Sequence, residues 1–102
     1  DASTLYSDAS CTTPAVDSGS VSCWQDKSGN NAHAITLTGS YAPTYRASDS
    51  VFGTPVIDFT DTNALLADPV DWSGAFTFFI VLASDTPTPV TNDAFFSSVS
   101  DV

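Results

Sequence analysis

Methionine and glutamate are missing from this 102-residue chain, and lysine, arginine and histidine occur once each, as Lys27, Arg46 and His33. All twelve acidic residues are therefore aspartate, and the formal charge is −10. Glutamate suits helix interiors whereas aspartate suits turns and caps, so the choice of acid points to many turns and few helices. So few cations argue against nucleic acid or anionic lipid headgroups as partners unless a metal ion mediates. Long apolar runs are also lacking. The longest, residues 78–83, is far too short to cross a bilayer, which argues against membrane insertion. A chain that opens on Asp1 and holds no methionine reads as a processed or excised segment. Its length suits one domain with a modest core.

Cysteine is scarce too, but the two present form an even pair, Cys11 and Cys23. A disulfide between them would close a short loop and contribute roughly 2–3 kcal/mol. The alternative is a pair of buried free thiols in a reducing compartment. No second His or Cys pair completes a zinc site.

What the chain does contain is a series of short apolar or alternating segments at 21–25, 32–38, 55–59, 64–67, 75–83 and 94–99. Turn-rich stretches such as 26–31, 71–74 and 84–93 separate them. A sustained 3.6-residue apolar period is absent, apart from one possible helical turn near residues 3–8. This spacing predicts an all-β fold, an antiparallel β-sandwich or jelly roll. Residues 75–83 give the strongest strand signal. Phe76, Phe78, Ile80 and Leu82 would line one face and Thr77, Phe79 and Val81 the other, so a central strand covered on both sides is expected. The cover would come from further protein or from a neighbouring subunit.

Four scarce residues crowd into residues 22–34: Cys23, Trp24, Lys27 and His33. A tight turn between two strands accounts for them. Trp24 fits a strand end facing the core, Asp26 and Ser28 can accept hydrogen bonds from turn amides, and Gly29 tolerates positive φ, with Asn30 or Asn31 next best. His33 on the return strand is expected to bond a carboxylate such as Asp26. Acid–base chemistry by His33 and Asp26 would need a nucleophile or second base, and none is recognisable nearby.

The pattern Trp24-x-Asp26-x-Ser28-Gly29-Asn30-x-x-His33 resembles the start of a laminin G-like, concanavalin A-like sandwich domain. Such domains occur in bacterial extracellular proteins and phage structural proteins. The opening residues 1–6, Thr12-Thr13-Pro14, Ala42-Pro43-Thr44-Tyr45, Pro55-Val56-Ile57-Asp58-Phe59 and residues 76–82 follow in the same order, so the resemblance covers roughly residues 1–83. It implies a single laminin G-like domain over residues 1–102 that lacks its C-terminal half. The chain departs from the pattern at Asn30-Asn31, where Asn-Gly is common, and at Phe59-Thr60-Asp61, where Phe-Asp-Gly is common. Cys11 and Cys23 replace small residues, and their joint presence supports pairing with each other.

Candidate sites follow from chemistry. Glycoside hydrolysis needs two carboxyl groups about 5–9 Å apart across one cleft. Asp58 and Asp61, three apart, would point to opposite faces of a strand, so no enzyme is expected. Asp58, Asp61 and Asn63, or Asp68 and Asp71, offer hard oxygens that suit Ca2+, although no calcium-loop spacing is present and solvated turn acids are the simpler account. Sugar binding on a sandwich uses an exposed ring against a pyranose face, and Trp72 is the first candidate, with Tyr41 and Tyr45 after it. The expected function is a non-catalytic extracellular or virion-surface module for carbohydrate or surface binding and adhesion, its partner a glycan or cell-surface polymer. The alternative is a structural subunit, a virus decoration or coat protein or an extracellular filament protein, whose sheet a neighbouring chain completes.

Overall fold

The computed structural model describes residues 2–49, 51–60, 62–67, 75, 77 and 79–84. The fold over these residues is all-β, with antiparallel pairing throughout and two short 3-10 turns, Ala2–Thr4 and Gly39–Tyr41. The strands are β1 (Leu5–Tyr6), β2 (Cys23–Trp24), β3 (Ala34–Ile35), β4 (Thr44–Arg46), β5 (Val56–Asp58) and β6 (Leu66–Ala67). One sheet runs β1-β2-β3-β6 and the other pairs β4 with β5.

Segments 21–25, 32–38, 55–59 and 64–67 each contain one of these strands. The helical turn expected near 3–8 is a 3-10 turn that gives way to β1, which the sequence pattern missed. Thr4 ends that turn buried, and Leu5 then turns into the core.

Residues 18–25 tie the two sheets together. Their first part pairs with β4: the Ser18 amide donates to the Tyr45 carbonyl, and the Tyr45 amide donates to the Gly19 carbonyl, both at 2.8 Å. The Val21 amide then donates to the Pro43 carbonyl at 2.8 Å, and from Ser22 onward the chain bonds to β1 and β3. Tyr6 pairs with Cys23 and also accepts the Ser22 amide at 2.9 Å. Two residues of one strand against one of its partner is the count of a β-bulge, which bends a strand where it changes sheets.

The core forms where the sheets meet. Leu5, Val21 and Tyr45 are buried together, with Ala15, Ile57 and Leu65 packed around them. Cys23 is wholly buried and carries the disulfide to Cys11, with a Cα separation of 5.5 Å. That bridge fastens the loop after β1 to the middle of the larger sheet.

The expected central strand at 75–83 is corrected. Residues 75, 77 and 79–84 lie in no strand, and Phe79 is 94 % and Val81 86 % exposed. A strand is held by a ladder partner and by cover on its faces, and no described residue pairs with this segment. Phe76, Phe78 and the strand expected at 94–99 fall outside the described residues.

Candidate binding surface

The crowded stretch is a turn built around one carboxylate. Asp26 accepts the Ser28 amide at 2.8 Å, the Ser28 hydroxyl at 2.6 Å and the Ala32 amide at 3.2 Å. The Ser28 hydroxyl oxygen in turn accepts the Asn30 amide at 3.2 Å. Gly29 (φ 87°) and Asn31 (φ 57°) take the two left-handed positions. The Ser28 hydroxyl and amide, more than the other donors, hold the Asp26 carboxyl below its usual value, because each bond favours the charged form. His33 bonds a different group from the one expected: its Nδ1 accepts the Asp26 backbone amide at 3.1 Å. Ser28 and Ala32 already occupy the carboxylate, so the imidazole closes the turn through the main chain.

Trp24 corrects a second expectation. It pairs with Leu5 on one side and Ala34 on the other, so it shares the face on which Leu5 is buried. The core does not reach it, and Trp24 stays 45 % exposed. Ala34 pairs onward with Ala67, which leaves an indole and two methyl groups as a row across β2, β3 and β6.

Asp8, Asp17 and Asp49 likewise accept backbone amides. Asp8 accepts the Thr13 amide at 2.6 Å, the Thr12 hydroxyl at 3.0 Å and the Thr12 amide at 3.1 Å, which organises the loop that carries Cys11. The Thr13 amide is the chief reason its carboxyl is lowered. Asp17 accepts the Ala47 amide, and Asp49 accepts those of Val51 and Phe52. Asp58 forms an ion pair with Arg46 at 3.4 Å, and Asn63 Oδ1 accepts the Thr60 amide and hydroxyl at 2.9 and 2.8 Å. Asp58 meets Arg46 through Oδ2, whereas the Asn63 amide oxygen is engaged by both Thr60 donors. Among the described residues no three His, Cys, Asp or Glu side chains are grouped to hold a metal ion. Asp61, Asp68 and Asp71 lie outside the described residues.

The three aromatic candidates part company. Tyr45 is buried in the core, so its ring faces are spent on packing. Trp72 lies outside the described residues. Tyr41, at the end of the second 3-10 turn, is 46 % exposed and borders an open groove of about 330 Å³ with Leu37, Thr62, Ala64 and Leu66. The Ala64 amide donates to the Tyr41 carbonyl at 2.9 Å, which fixes the two walls to each other. Leu37 and Leu66 were missed from sequence. The alternation of Ile35 and Leu37 puts both on one face, but does not say whether that face is covered.

No family model, curated protein or solved structure matches this chain. The described residues include no helix long and apolar enough to cross a membrane.

Proposed function

We propose that this chain is a non-catalytic module of the laminin G-like sandwich type, binding carbohydrate or another surface polymer and supporting adhesion outside the cell or on a virion. The observation that carries this reading is Tyr41, a half-exposed ring on the wall of an apolar groove. A pyranose presents an apolar face of C–H groups that stacks on such a ring, while its hydroxyls stay at the wet rim. The Cys11–Cys23 disulfide supports an oxidising compartment. Aspartates committed to backbone amides are poorly placed for general acid–base chemistry, which supports a binding role over catalysis.

A glycan array probed with the intact protein and with Tyr41→Ala tests the reading. Selective binding that Tyr41→Ala weakens, with the fold retained by circular dichroism, is the expected result. Absence of binding, or binding indifferent to Tyr41, would sink it.

A second reading, a structural subunit completed by a neighbouring chain, is favoured by a separate observation. Phe79, Ile80, Val81 and Leu82 are all exposed, which is costly unless something covers them. Concentration-dependent association of the purified protein would support it, and a monomer at every concentration would remove it.

A further inference from the structure

Among the described residues β6 is the last strand of its sheet, so its outer edge is without a ladder partner there. Both faces at this edge are apolar. Leu66 opens onto the groove with Leu37 and Tyr41, whereas Ala67 continues the row of Ala34 and Trp24. A strand added beside β6 would set its side chains next to Leu66 on one face and next to Ala67 on the other, so a strand apolar on both faces is what this edge calls for.

Residues 79–82 meet that requirement. In extended form Phe79 and Val81 point one way and Ile80 and Leu82 the other. In their own chain these four are 94, 86, 67 and 44 % exposed in that order, so they are not seated on their own β6. No residue from 75 to 83 is charged, in a chain of charge −10. Like-charge repulsion between two copies is therefore weakest for an approach led by this segment. Leu66 and Ala67, the two residues of this edge, carry no charge for a foreign acidic or basic peptide to match.

We propose that residues 79–82 of one copy add as a strand to β6 of a second copy. One pair of side chains would lie beside Leu66, at the rim of the groove with Leu37 and Tyr41, and the other beside Ala67 on the opposite face. This rests on the second reading above, and it names both the segment and the edge. Main-chain hydrogen bonds to β6 would supply affinity, and contacts with Leu66 on one face and Ala67 on the other would add to it.

The test is sedimentation of the intact protein across a dilution series at moderate salt, with Val81→Asp, Leu66→Asp and a control, Val16→Asp. All three side chains are exposed, so the fold is expected to survive each change, and circular dichroism checks that it does. The wild type and the control should associate, while the two other variants weaken association by about tenfold or more. Mixing Ala67→Cys with Ile80→Cys should give an intermolecular disulfide. A wild type that stays monomeric overturns this proposal and the subunit reading together. Association that persists in both Val81→Asp and Leu66→Asp keeps the subunit reading but overturns strand addition. A double variant, Ala67→Cys with Ile80→Cys, that cross-links only within one chain also overturns it, since the segment would then dock on its own sheet.

Discussion

The Asp26 amide donates to His33 Nδ1 at 3.1 Å while the Asp26 carboxylate accepts from Ser28 and Ala32. One residue thus anchors both sides of the turn. Because Nδ1 is an acceptor, the neutral imidazole carries its proton on Nε2. Nitrogen chemical shifts of His33 should report this tautomer in the neutral ring. His33→Ala leaves the amide without its acceptor and should cost about 1 kcal/mol in a denaturant titration.

Acid should loosen the Asp8 and Asp26 turns. Both carboxyls lie below the usual 3.8, because donors in the folded state favour the charged form. A lowered folded value means that the stabilisation is fully present above about pH 4 to 5 and is lost as the pH falls through the folded values. Asp26→Asn should flatten the acid limb of a stability–pH curve. An unchanged acid limb would show that these bonds do not contribute.

Cys11 and Cys23 should be linked in the native protein and inaccessible to alkylation until reduced. Replacing the pair with Cys11→Ser and Cys23→Ala is expected to lower stability by roughly 2–3 kcal/mol, mostly by freeing the unfolded chain. Alanine is the better choice at Cys23, because that side chain is wholly buried and a hydroxyl there would need a partner. The shift in denaturation midpoint measures the effect.

Tyr45 and Tyr41 should separate stability from binding. Tyr45→Ala removes a ring from a core with few buried side chains, and a loss of about 3 kcal/mol or more is expected. Tyr41→Ala alters a half-exposed wall and should cost less than about 1 kcal/mol. Paired thermal melts distinguish the two, and equal losses would contradict the burial difference.

Local features were legible wherever residue type alone decides them. Aspartate, serine and glycine in 26–29 forecast a side-chain-capped turn, and the positive φ of Gly29 and Asn31 follows from which residues tolerate it. Segments 32–38 and 55–59 forecast β3 and β5 because alternation is a short-range signal. β1 was not legible: Leu5–Tyr6 is two residues long, and its pairing with Cys23 and Trp24 spans sixteen or more intervening residues. Periodicity cannot register a contact at that range. The partner of His33 was misassigned because the carboxylate and the amide belong to the same residue, and only the turn's geometry separates them.

By itself, the sequence determined the all-β character, the turns and the even cysteine pair, since these depend on backbone preferences and on chemistry between near neighbours. Only the tertiary structure decided which apolar side chains are covered. Tyr45 and Tyr41 are the same residue type four positions apart, yet one is core and the other borders a groove. Trp24 sits on the face of Leu5 and is still half open. Burial depends on what other strands bring to a face, and that information is spread over the whole chain.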